Sequence, residues 1–174
     1  MEGALKINTT RFGTLTVDEK EIIFFPEGLL GFANCKKFFI YNNQKNLPFF
    51  WLHSAEDPKL AFVICDPQLF FPDYKVPVRK EELSVLAARD QSRLITCVII
   101  SIVREPFSMT ANLQGPLVIN TENYLGKQIV LVDGSYTTRH PIVLKNRQRL
   151  MAAGAPAPVF RPAEMALGNA LVVS

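Results

Sequence analysis

The sequence is poor in the side chains that metal binding and acid–base catalysis draw on, with two histidines and three cysteines in 174 residues. No CxxC, HxH or HExxH spacing occurs and no Asp-rich loop of the calcium-binding kind, so no metal site is expected. Cys35, Cys65 and Cys97 are far apart, odd in number and set among apolar neighbours. That is the pattern of reduced core thiols, not of a disulfide framework. Long apolar runs are also missing. The longest uncharged, mostly apolar stretch, Leu94 to Val103, falls well short of the ~20 residues that span a bilayer. The amino terminus, Met1-Glu2-Gly3-Ala4-Leu5-Lys6, shows no basic region followed by an apolar core, so a cytoplasmic location is expected. Gly28-Leu29-Leu30-Gly31 and Gly126-Lys127 are not phosphate-cradling loops between a strand and a helix, and no cofactor is expected.

What is present is material for one core. With 48% hydrophobic residues, 20% charged and 13 Phe, a chain of this length buries roughly 70% of its extended surface and folds as a single domain. Charge is unevenly placed. Met1 to Leu144 holds 15 basic and 15 acidic residues, while Lys145, Arg147, Arg149 and Arg161 face Glu164 alone in the remainder. The net +3 therefore belongs to the tail, and a neutral body supplies little of the phosphate neutralisation that drives nucleic-acid affinity.

Short apolar or alternating runs punctuated by Gly, Pro, Asn and Asp point to an all-β, mostly antiparallel, barrel-like fold. Strands are expected at Leu5–Thr9, Thr14–Val17, Glu21–Phe25, Lys37–Tyr41, Phe50–Ser54, Ala61–Cys65, Leu94–Val103, Ser108–Leu113, Leu117–Asn120 and Lys127–Val132. The near-continuous apolar runs Leu60–Cys65 and Thr96–Val103 suit strands buried on both faces. One short helix is expected at Arg79–Ala88, where Glu81 and Glu82 favour the positive end of the dipole and Leu83, Leu86 and Ala87 share a face. The domain is expected over 1–144, with 145–174 as an extended C-terminal tail. In that tail the Ala/Pro run Met151–Pro158 reads as a tether, and Ala163–Val173 reads as a short apolar segment whose order needs a partner.

Catalysis would have to start from His53 or His140. His53, in Trp51-Leu52-His53-Ser54, has Asp57 nearby, but its strand-end setting favours a satisfied core histidine over a base. His140, before Pro141, reads as a turn residue. Asp57-Pro58 and Asp66-Pro67 read as structural turns, and Asn112 and Asn120 as side chains that satisfy loop backbones. Phe25-Pro26-Glu27-Gly28-Leu29-Leu30-Gly31-Phe32 and Phe70-Phe71-Pro72-Asp73-Tyr74 carry large side chains in segments too irregular for strands. Such residues either fold back into the core or meet a partner.

Those two segments, with Pro48–Ser54, Asp57–Pro67, Thr110–Asn120 and Gly126-Lys127-Gln128-Ile129-Val130-Leu131, make the chain resemble the flagellar assembly factor FliW family over roughly Ile7 to Leu144. The resemblance implies a small cytoplasmic, barrel-like protein without enzyme activity that binds flagellin and the RNA-binding translational regulator CsrA. It implies a partner switch. Flagellin occupies the protein until it is secreted, and the freed protein then captures CsrA, acting allosterically and releasing flagellin translation from repression. Members often carry Gln where His53 stands, and the tail after Leu144 exceeds the family length. On loop position and side-chain size, the expected protein-binding residues are Leu29, Phe32, Phe71, Asp73 and Tyr74. The alternative is a direct RNA-binding β-barrel module, against which the neutral body speaks.

Overall fold

Aromatic and β-branched runs between Gly, Pro and Asx turns become eleven strands in the computed structural model, which describes residues 3–42, 48–132 and 134–143. In chain order these are β1 (Ala4–Thr9), β2 (Gly13–Asp18), β3 (Ile23–Phe24), β4 (Lys37–Tyr41), β5 (Phe50–Ser54), β6 (Ala61–Cys65), then helix α1 (Lys80–Val85). After it come β7 (Leu94–Arg104), β8 (Phe107–Ala111), β9 (Leu117–Asn120), β10 (Gly126–Gln128) and β11 (His140–Pro141). β4, β5, β6 and β9 have the expected bounds. The tail from residue 144 onward, with its expected tether and apolar segment, lies outside the described residues.

β1 and β2 form a separate hairpin, and the remaining strands form one antiparallel sheet in the order β10-β9-β7-β6-β5-β4-β3, with β8 also on β7 and β11 on β8. β5 is buried along its whole length because it is covered twice. Successive side chains alternate between faces, so Leu52 joins Phe38 and Ile40 in the main core while His53 lies opposite Phe39. That second face is roofed by the hairpin, through a smaller cluster of Ile7, Val17 and Phe39. At the hairpin turn the Phe12 ring meets Trp51 edge-on at 5.2 Å, and Arg11 sits 4.8 Å above the same indole.

The two ends of the sheet meet at a seam without forming a ladder. Phe24 N–H donates to Tyr124 O at 2.9 Å, and a single parallel bridge joins Phe24 to Leu125. The sheet is thus barrel-like but not closed. Phe25 fills the seam, packed edge-on against Phe38 at 5.6 Å and against the bare Cα of Gly126.

Four expectations are corrected by the structure. Glu21–Phe25 is not a continuous strand: Asp18 caps a 3-10 turn over Glu19–Glu21, leaving only Ile23 and Phe24 to pair. The helix stops at Val85, since Ala87 takes φ 49° and Asn120 Nδ2 donates to Leu86 O, which turns the chain away. β7 is buried in its centre only. From Ser101 onward it projects with β8 as a ladder whose tip residues Val103 and Phe107 are exposed. Last, His140 is not a turn residue, because it pairs with Ala111 as the start of β11.

Candidate protein-interaction surface

The Phe25–Phe32 segment is held as a double turn by its glycines. Gly28 N–H donates to Phe25 O at 2.9 Å with φ +68°, and an added Cβ would lie 2.7 Å from the Ala33 backbone. No L side chain fits there without moving the loop. Phe32 N–H then donates to Leu29 O at 2.7 Å. This geometry sorts the large side chains by direction: Leu29 turns inward and is 2% exposed, while Leu30 and Phe32 remain 64% and 40% exposed. The Phe32 ring rests edge-on against Phe62 at 5.2 Å.

Long-range contacts fix the loop to the rest of the molecule. Leu30 N–H donates to Gln128 Oε1 at 2.8 Å, and Lys127 pairs with Glu27. Arg79 forms an ion pair with Glu82 at 2.6 Å, and Glu82 accepts from the Arg79 backbone N–H at 2.9 Å, which satisfies that donor at the start of α1. The Arg79 guanidinium holds the Glu82 carboxyl below the usual carboxylate range. Between these ion pairs runs a groove of about 400 Å³ lined by Leu30, Gly31, Gln128 and Val130 among others. Leu30 and Val130, both exposed, present apolar surface to this groove, which the charged Glu27, Arg79, Glu82 and Lys127 also line.

The second segment divides in the same way. Phe71 is half-buried with its ring edge-on to His140 at 5.2 Å, and Asp73 is exposed. Tyr74 is 2% exposed, and its hydroxyl donates to Leu113 O at 2.7 Å. The expected exposure of Leu29 and Tyr74 is therefore corrected. Both serve the core, Leu29 because the glycine turns point it inward and Tyr74 because its hydroxyl has a buried carbonyl to reach. Leu30, Val130, Lys127 and Gln128 line the groove but are not among the expected protein-binding residues. The sequence presents Leu30 as equally suited to core or partner and Lys127–Val132 as a strand, and nothing local reveals that β10 lies beside residues 27–31.

Among the described residues, neither histidine is hydrogen-bonded to a nucleophile or a carboxylate. His53 is buried, with Nδ1 2.7 Å from Ser54 O and its ring stacked on Phe39 at 5.4 Å. Desolvation lowers its pKa more than the Ser54 carbonyl raises it. Asp57 instead accepts from Lys59 N–H at 2.9 Å, and Asp66 from Gln68 N–H at 3.0 Å, both as turn carboxylates. Asn112 accepts from Gly115 N–H and Asn120 from Glu122 N–H, each at 2.9 Å. Burial pushes the Cys65 and Cys97 thiols up, which keeps them protonated and inert. Among the described residues no group of three or more His, Cys, Asp or Glu is placed to hold a metal, and no helix is long and apolar enough to cross a membrane.

Comparison with known proteins gives one answer. The profile of the FliW protein family matches residues 6–142. The flagellar assembly factor FliW of Geobacter sulfurreducens is 41% identical over 137 residues, covering 79% of this chain and 86% of that protein. Its counterpart from Magnetococcus marinus is 43% identical over 141 residues, covering 80% and 85%. A crystal structure of the flagellar assembly factor FliW superposes with a TM-score of 0.74 at 32% identity, covering 82% of this chain and 99% of that one. Profile, relatives and fold agree over the same strands, and the chain belongs to the FliW family.

Proposed function

We propose that the chain acts in the cytoplasm as a flagellar assembly factor that works by binding polypeptides, with flagellin and CsrA as mutually exclusive partners and no reaction catalysed. The observation that carries this reading is the exposed apolar groove at Leu30 and Val130, bordered by the Glu27–Lys127 and Arg79–Glu82 pairs. Leu30 alone, buried from its present exposure, contributes about 1–2 kcal/mol to an interface. Phe32, Phe71 and Asp73, each exposed or half-buried, are further contacts in this reading, while Leu29 and Tyr74 serve by holding their loops. Domain 1–144 carries this activity, and the tail 145–174 is a separate extension to it.

The test is capture of CsrA by the tagged full chain from cell extract, with purified flagellin added as competitor. CsrA is expected without flagellin and displaced with it. Leu30→Lys, which alters an exposed side chain and leaves the turn glycines in place, should weaken capture of at least one partner roughly tenfold at unchanged melting temperature. Simultaneous recovery of both partners on one molecule would defeat the switch. Direct RNA binding by the chain, weakening steeply with added salt, would replace this reading with that of an RNA-binding module.

A further inference from the structure

β7 changes neighbours along its length, and the change leaves part of one edge open. Asn112 N–H donates to Ile99 O and Thr121 N–H to Arg93 O, so the odd-numbered residues of β7 direct their backbone groups toward β8 and β9. The even-numbered ones face β6. On that side Val98 is opposite Cys65 and Ile100 opposite Val63. The next place in the register would fall at Thr96 and Pro67. Proline has no N–H to give, and Asp66 turns the chain into a 3-10 turn over Pro67–Leu69. Among the described residues no strand continues the ladder beside Thr96, so its N–H and C=O face a cleft of about 690 Å³, lined among others by Asp66, Gln68, Lys75, Gln91 and Leu94.

Asp66 is the unusual group in this cleft. It is 8% exposed, accepts one hydrogen bond at Oδ1 from Gln68 N–H, and has no ion pair among the described residues. Desolvation raises its pKa, and only the Gln68 N–H opposes it. Lys75 lines the same cleft, and among the described residues it forms no ion pair with Asp66. A recessed carboxylate with one oxygen uncommitted, beside an open strand edge, is complementary to an extended backbone that carries a cation.

We propose that this cleft accepts an extended segment of a protein partner, which pairs with β7 at Thr96 and sets a Lys or Arg side chain against Asp66. The proposal rests on the reading of the chain as a binder of polypeptides and adds a second, separate contact to the groove at Leu30. Its probe is a capped synthetic hexapeptide of alternating valine and threonine with one central lysine, and a twin carrying norleucine in place of lysine. Both are titrated into the full chain while backbone amides are followed by NMR. The lysine peptide is expected to shift the Leu94 and Thr96 amides and to slow hydrogen exchange at Thr96. Asp66→Asn, which keeps the acceptor for Gln68 N–H, should weaken the lysine peptide roughly tenfold and leave the norleucine twin unchanged. Absence of binding at millimolar peptide, shifts confined to other strands, or equal affinities for the two proteins would overturn the proposal. So would a Thr96 amide already protected in the free full chain, which would mean that the chain itself occupies the edge. Because the probe contains neither flagellin nor CsrA, such a failure would leave the capture assay above to stand or fall alone.

Discussion

Gly126→Ala tests whether the seam is held by close packing. Gly126 does not sit at positive φ, so on backbone grounds alanine is acceptable and should stabilise by about 0.4–1 kcal/mol through the unfolded chain. Packing opposes this. The new Cβ would lie 2.5 Å from Phe25 Cε1, 2.7 Å from Cζ and 2.9 Å from Cδ1, about 1 Å inside ordinary carbon contact. Phe25 is 0% exposed and wedged against Phe38, so its ring cannot swing away without opening the seam. Overpacking of this kind costs about 1–3 kcal/mol, which exceeds the backbone gain and leaves a net loss of about 1–2 kcal/mol. At ~2–4 °C per kcal/mol for a chain of this size, melting should fall by roughly 2–8 °C. Trimming the ring should give much of this back, so Gly126→Ala and Phe25→Leu, each destabilising alone, should combine to less than their sum in urea unfolding. An unchanged or raised urea midpoint for Gly126→Ala, or strict additivity of the pair, would refute the account of the seam.

Three further outcomes follow from other parts of the molecule. His53 has a lowered pKa in the folded state, so below the ordinary value near 6.5 the unfolded chain binds the extra proton first. Its contribution is complete above that value and is lost as pH falls toward the folded pKa, and urea midpoints from pH 7.5 to 5 should decline less steeply in His53→Gln. An equal slope would remove His53 from the acid response. Tyr74→Phe deletes the hydroxyl that donates to Leu113 O at 2.7 Å and should cost about 1–2 kcal/mol in unfolding free energy, since a buried carbonyl loses its partner. Asn120→Leu removes the bonds to Leu86 O and from Glu122 N–H, each 2.9 Å, and should cost about 2–4 kcal/mol. It should also speed amide exchange in α1 ahead of β5, and uniform exchange would argue against a local tie.

The sequence by itself settled the strands whose side chains alternate or run apolar over five residues. Lys37–Tyr41, Phe50–Ser54 and Ala61–Cys65 need only local pattern to declare themselves, because a pleated backbone sends neighbouring side chains to opposite faces whatever lies beyond. Turn chemistry was equally local: Asp66 before Pro67, Asn112 and the acceptor oxygen of Asn120 act within three residues of themselves, although the Asn120 amide also reaches Leu86 O across the fold. The tertiary structure decided which loop residues point inward. Leu29 and Leu30 are adjacent and chemically alike, yet one is buried and the other exposed, because residue 128, ninety-eight positions away from Leu30, supplies the acceptor that fixes the turn. The same holds for β11, for the seam at Gly126 and for the open edge at Thr96. Each depends on which strand arrives alongside, and sheet partners brought together by long chain closures leave no mark on the residues between them.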